Sequence, residues 1–253
     1  MKNGKYTLGL ASVSFRQHSP KEILEAVKAA GLSCVEWGSD VHAPCRDIER
    51  LYAIAELQKE YGIQCSSYGT YFRLGQTPLD ELEDYIAAAK ILGTDVLRLW
   101  CGTKSGEKYS NSEKQALVDQ CKYAAQMAEK EGVTLCMECH KSTYTQHVSD
   151  ALALIGEINS QHFKMYWQPF QWQSEEENLK YAEAIALYVH HIHVFQWKEK
   201  ERFSLRDGIE EWRRYLSKFA TPRTLLLEFM PNDTVEELAG EADALGAMIG
   251  EDV

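Results

Sequence analysis

Apolar and polar positions along the chain form one phrase that keeps returning: an amphipathic stretch of helical period, a glycine, then a short apolar run. It occurs as Ala29-Ala30-Gly31-Leu32 before Cys34-Val35-Glu36-Trp37, and as Glu60-Tyr61-Gly62-Ile63 before Gln64-Cys65-Ser66-Ser67. It returns as Ile91-Leu92-Gly93-Thr94 before Val96-Leu97-Arg98-Leu99, and as Lys130-Glu131-Gly132-Val133 before Leu135-Cys136-Met137-Glu138. Gly31, Gly62 and Gly93 are evenly spaced, 31 residues apart. A helix often ends on a residue in the left-handed conformation, where glycine has no Cβ to clash. A period of this length, strand plus helix, marks repeated βα units.

Start signals agree with the stop signals. Ser19-Pro20-Lys21-Glu22 supplies a capping hydroxyl, a proline at the first helical position and a glutamate that closes a capping box. Ser174-Glu175-Glu176-Glu177 and Thr234-Val235-Glu236-Glu237 repeat that logic. The pattern predicts strands near 7–13, 33–37, 64–68, 95–100, 133–138, 163–168, 189–194 and 223–229, with helices between them and after the last. The helix after the seventh strand, about Asp207 to Phe219, follows a longer loop. Eight strands alternating with eight helices within 253 residues is the requirement of a closed (β/α)₈ TIM barrel, expected here as a single domain over 1–253. A doubly wound sheet would place a Gly-rich phosphate loop after the first strand, and Ser12-Val13-Ser14-Phe15-Arg16 is unlike one.

Composition narrows the partners. A formal charge of −11 repels a phosphodiester backbone, which argues against nucleic acid. Met1-Lys2-Asn3-Gly4-Lys5 leads straight into a strand-like segment with no signal-peptide core, and no apolar run is long enough to cross a bilayer. Seven cysteines without a framework suit a reducing compartment, so the expected address is the cytoplasm. Cys136 and Cys139 read as C-x-x-C, but on a strand they point to opposite faces and cannot share a zinc ion.

Barrel enzymes carry their chemistry at the C-terminal ends of the strands. Strands five to eight end in Glu138, Gln168, His193 and Glu228, delivering two carboxylates, an amide and an imidazole to one rim. Two carboxylates facing one mouth need a cation or a proton. Oxygen ligands with one imidazole suit Mn²⁺, Mg²⁺, Co²⁺ or Zn²⁺. Alternation along the seventh strand puts His191 one layer deeper than His193, as a hydrogen-bonded core histidine, with His190 turned toward the helices.

Gly31-Leu32-Ser33-Cys34-Val35-Glu36-Trp37, Val96-Leu97-Arg98-Leu99-Trp100, Leu135-Cys136-Met137-Glu138, His191-Ile192-His193-Val194 and Leu226-Leu227-Glu228 together resemble the xylose isomerase-like TIM barrel superfamily, in its sugar phosphate isomerase/epimerase group. The resemblance covers essentially the whole chain. It implies a metal-dependent sugar or sugar phosphate isomerase or epimerase that transfers a proton beside a carbonyl through an enediolate. Glu138 and Glu228 would then be the catalytic pair, and Glu138, Gln168, His193 and Glu228 the metal ligands. Two positions depart from the ketose 3-epimerase pattern. Gln168 stands where those enzymes have an aspartate ligand, and Gln171 where they have a substrate-binding histidine. Glutamine ligates through its carbonyl oxygen but brings no negative charge.

Glu36, His42, Tyr71, Arg73, Arg98, Trp100 and His140 fall at or just past strand ends and are candidates to line a polyol pocket. Lys198, Lys200, Arg202 and Arg206 cluster after strand seven, where many barrels bind phosphate, although Glu199 and Glu201 alternate with them as in a solvated loop. Three other readings share this frame: a keto-polyol dehydratase using the same glutamates, a non-catalytic sugar-binding barrel, and a zinc endonuclease, which would need more ligands and a basic groove. Barrels of this type often pair, so a homo-oligomer is compatible with the chain.

Overall fold

In the computed structural model, which describes residues 6–219 and 223–250, the recurring phrase closes on itself. Met1-Lys2-Asn3-Gly4-Lys5 lie outside the described residues. Eight parallel strands form a closed barrel: β1 (Tyr6–Ala11), β2 (Cys34–Gly38), β3 (Gln64–Leu74), β4 (Val96–Cys101), β5 (Thr134–Glu138), β6 (Phe163–Trp167), β7 (Val189–Val194) and β10 (Arg223–Leu227). The closing pair is β1 with β10, in register at Leu8 and Leu225. A short antiparallel hairpin, β8 (Gln196–Lys198) and β9 (Glu201–Phe203), fills the long loop expected after the seventh strand.

Helices α1 (Pro20–Ala29), α2 (Ile48–Tyr61), α3 (Leu82–Leu92), α4 (Asn111–Glu131), α5 (Val148–Ile158), α6 (Glu175–Ile185), α7 (Ile209–Leu216) and α8 (Leu238–Ile249) surround the strands. Gly62, Gly93 and Gly132 cap α2, α3 and α4 in the left-handed region, as the repeat predicts. Ser19 and Ser174 form their capping boxes, and so does Ser110 with Glu113, which the sequence reading passed over. Thr234 does not: its side chain makes no cap hydrogen bond, and a 3₁₀ turn (Val235–Glu237) intervenes before α8.

The strands obey period two. Val35, Trp37, Leu97, Leu99, Leu135 and Met137 belong to the large core cluster shared with the helices. Cys34, Val96, Cys136, Tyr166 and Leu226 form a separate cluster that fills the barrel. Two residues further along these same strands come Glu36, Arg98, Glu138, Gln168 and Glu228. One layer of the barrel is thus apolar and the next, toward the C-terminal mouth, is charged. Cys136, on β5, and Cys139, just past its end, fall in different clusters.

Candidate active site

The charged layer is a single network. Arg98, buried within β4, donates from Nε to Glu36 Oε1 at 3.0 Å and from Nη1 to Glu138 Oε2 at 2.6 Å. Trp100 Nε1 donates to the same Glu138 oxygen at 2.5 Å. Glu36 takes a further hydrogen bond from Ser67 Oγ at 3.1 Å, and Ser67 pairs with the Tyr166 hydroxyl at 2.7 Å. Gly69 makes the arrangement possible, because a Cβ there would stand 2.6 Å from Glu36 Oε1 and 3.0 Å from Arg98 Nη2.

His193, with 0% of its surface exposed, stands at the centre. Its Nδ1 faces three oxygens: Gln168 Oε1 at 3.0 Å, Glu228 Oε2 at 3.6 Å and Glu138 Oε1 at 3.7 Å. Its Nε2 has no hydrogen-bond partner and lies 3.4 Å from Glu36 Oε1. Below it His191 Nε2 meets the Ser66 carbonyl at 3.1 Å, and His191 and His190 approach through their Nδ1 atoms at 2.7 Å. His191 is therefore a hydrogen-bonded core histidine.

Charge state follows from the same contacts. Burial pushes the Glu36 carboxyl up, but Arg98 and His193 outweigh it and hold it well below the carboxylate range. Glu138 behaves alike, with burial overcome by Arg98 and by its contact with His193. Burial disfavours charge on His193, yet Glu228, Glu36 and Glu138 together lift it to about 10. Glu228 is shifted upward, first by burial, against the pull of His193 and with Glu138 adding repulsion. The layer sets three carboxylates against the permanent charge of Arg98 and the proton on His193, and a metal cation bound there would displace that proton.

Above the network a cavity of about 230 Å³ opens at the mouth. Arg98, Trp100, Glu138, His140, Gln168, Gln171, Glu228 and Tyr71 reach it among the residues singled out from sequence. Glu36 and His193 lie beneath its floor. His42 and Arg73 do not line it. His42 is buried against Trp37, with Nε2 at 3.1 Å from the His18 carbonyl, and Arg73 lies over the Trp100 ring and donates to the Gly102 carbonyl at 2.7 Å. Val13, Arg16, Phe195, Trp197 and Phe229 complete the lining without having been singled out. Arg16 is held by Asp40 and Tyr71, and Arg202 lies against the Trp197 and Phe229 rings, bonded to Asp233. Of the bases after the seventh strand, Lys198, Lys200 and Arg206 are exposed, as in a solvated loop.

The model of the xylose isomerase-like TIM barrel family matches residues 24–245. The chain belongs to that family. Solved structures agree in fold: the probable 3-DHS dehydratase AsbF of Bacillus anthracis, involved in petrobactin synthesis, superposes with a TM-score of 0.79 at 17% identity, covering 95% of this chain and 98% of that one. D-psicose 3-epimerase of Clostridium cellulolyticum H10, solved with D-tagatose, gives 0.72 at 12% identity over 96% and 98%. IOLI protein, solved with a bound zinc atom, gives 0.78 at 15% over 96% and 98%. No curated protein sequence matches the chain. Structures of this fold thus include an epimerase and a probable dehydratase, and at these identities the likeness shows fold alone. In this xylose isomerase-like barrel, no three His, Cys, Asp or Glu side chains among the described residues stand in a metal-holding arrangement. What the strand ends bring together is a mixed donor set with the Gln168 amide oxygen as a member. Among the described residues no helix is long and apolar enough to cross a membrane.

Proposed function

We propose that this barrel is a metal-assisted sugar isomerase or epimerase, moving a proton beside a ketose carbonyl. The observation that carries this reading is the ring of oxygens around His193 Nδ1, at 3.0, 3.6 and 3.7 Å. Donors bound at about 2.1 Å to a common ion stand roughly 3.0–3.4 Å apart, so small inward movements close this set. A proton on Nδ1 serves one oxygen well, whereas a cation serves all of them. Glu138, Gln168, His193 and Glu228 would hold the ion, and Glu138 Oε1 is available for it because Arg98 and Trp100 use only Oε2. When bound, a divalent ion supplies a Lewis acid that polarises the substrate carbonyl.

The chain's own groups account for the rest. Glu138 on β5 and Glu228 at the end of β10 are separated around the barrel by β6 and β7, so a ketose seated between them turns a different face to each. One carboxylate removes the proton from carbon and the other returns one to the opposite face, or the first returns it to the neighbouring carbon. The negative charge left on the substrate oxygens meets the Arg98 guanidinium at the floor. Trp100 and His140, with ring centroids 5.2 Å apart, offer an aromatic wall to the apolar face of the sugar.

Elemental analysis of the purified protein after incubation with Mn²⁺, beside Glu138→Gln and Glu228→Gln variants, tests the assignment. The expected result is about one divalent ion per chain, lost or weakened in both variants, with ketose turnover falling roughly 10²–10⁴-fold. No bound ion under excess Mn²⁺ overturns the metal-assisted reading, and a product short of one water assigns a dehydratase instead.

A further inference from the structure

On the flank of the barrel, away from the mouth, a groove of about 570 Å³ runs between α3 and α4. Its floor is Ile86 and Ala87 from α3 and Met127 from α4, and the Tyr123 ring stands beside it with 59% of its surface exposed. An exposed aromatic over an apolar floor is the composition of an association surface. Four charged residues rim the groove, Glu83 and Glu131 against Lys90 and Lys130, so the face is locally neutral in a chain of formal charge −11. Two copies of an acidic protein repel, and a neutral face is where that repulsion is least.

The spacing of the rim is self-complementary. Glu83 and Lys90 stand seven residues apart on α3, and Tyr123 and Lys130 stand seven residues apart on α4. Each pair therefore spans about 10.5 Å of helix. Lys90 Nζ donates to Glu131 Oε2 at 2.6 Å, so Lys90 and Lys130 lie at nearly the same height. The midpoints of the two pairs are then level as well, beside Ala87 and Met127. A two-fold axis there, lying in the face and perpendicular to both helices, sets a second copy antiparallel on the first. It lays Glu83 on the partner's Lys90 and Tyr123 on the partner's Lys130, each twice. The first contact is an ion pair and the second a cation–π pair. Ala87, small and exposed, leaves the helices room to approach at the axis. One operator thus serves both helices, and it also sets opposed helix dipoles side by side.

We propose that this face is the interface of a symmetric dimer, with α3 and α4 of one copy packed antiparallel on the same helices of the other. The two barrels then point in opposite directions, and both mouths stay open. The reaction assigned to the mouth plays no part in this argument.

Sedimentation velocity over about 1–100 µM protein reads the association. The expected result is twice the mass of one chain at the upper end of that range. Ala87→Glu brings two carboxylates together at the axis, on an exposed helical position where glutamate is well tolerated, and should return the chain to monomer. Glu83→Lys and Lys90→Glu should each weaken the dimer several-fold, because each sets like charges against one another at both contacts. Mixed in equal amounts, the two variants should associate as tightly as the parent, since a Glu83→Lys copy facing a Lys90→Glu copy has unlike charges at both contacts. A parent that stays monomeric at the highest concentration, a dimer that survives Ala87→Glu, or a mixture no tighter than its separate variants overturns the interface.

Discussion

In the metal-assisted reading proposed above, Gln168 is the residue on which ion affinity would turn. Its oxygen lies 3.0 Å from His193 Nδ1, nearer than either glutamate, yet it brings only a dipole where a carboxylate would bring a charge. Unit charges about 4 Å apart interact by roughly 4 kcal/mol at an effective dielectric constant of 20. Even a third of that, after desolvation, corresponds to about tenfold in affinity. Gln168→Asp should therefore tighten Mn²⁺ at least about tenfold by isothermal titration calorimetry, and unchanged or weaker binding would show that Gln168 is not a ligand. Strand-end position made this residue legible in the sequence, along with Glu138, His193 and Glu228, because alternation fixes which way a strand residue points. His42 and Arg73 were placed by the same proximity, but they lie where local turns decide direction: one packs on Trp37 and the other folds back onto Trp100. Arg16 escaped notice because its approach to the mouth depends on Asp40 and Tyr71, far away in sequence.

Elements were legible in proportion to their length and repetition. The helix-glycine-strand phrase located the βα units, since each glycine stop and each strand answers a local demand. The β8–β9 hairpin was invisible because three-residue strands are too short to display alternation. β3 runs on to Leu74 because its register with β4 shifts between Gly69 and Arg73, a tertiary event. The segment leading into α7 is fastened by one carboxylate: Glu241 on α8 accepts from Ser204 Oγ at 2.7 Å and from the Leu205 amide at 2.8 Å. Burial raises the Glu241 pKa, so the charged form opposes folding, and that cost is present at neutral pH and vanishes as pH falls below the carboxylate range. Glu241→Ala leaves the buried Leu205 amide unpaired and should cost about 1–3 kcal/mol in urea unfolding at pH 7. Glu241→Gln keeps an acceptor without the charge and should be neutral or stabilising there, with any gain disappearing near pH 4. A glutamine variant as unstable as the alanine would show that the negative charge itself holds the segment.

At the scale of the whole molecule, the barrel carries a charged layer at one end of an apolar interior. Glu36, Glu138 and Glu228 are all at most 7% exposed, with Arg98 and His193 as their buried cationic neighbours in that layer among the described residues. Buried charge of this kind costs a fold more than it returns unless it is matched. A cation that binds the closed barrel and not the unfolded chain recovers part of that cost through mass action, about 2.7 kcal/mol at a hundred times its dissociation constant. For a chain of this size each kcal/mol moves the midpoint by roughly 2–4 °C, so saturating Mn²⁺ should raise Tm by roughly 5–10 °C over an EDTA-treated sample in differential scanning calorimetry. The formal charge of −11 offers a competing explanation, since ions gathered by an acidic surface also stabilise. The two separate cleanly. Ions condensed on the surface act in His193→Ala as in the parent and are displaced by high salt, whereas an ion held at the mouth loses its effect in His193→Ala and keeps it in high salt. A shift that survives in the variant would place the cation outside the barrel and leave the three buried carboxylates to Arg98 and the His193 proton alone.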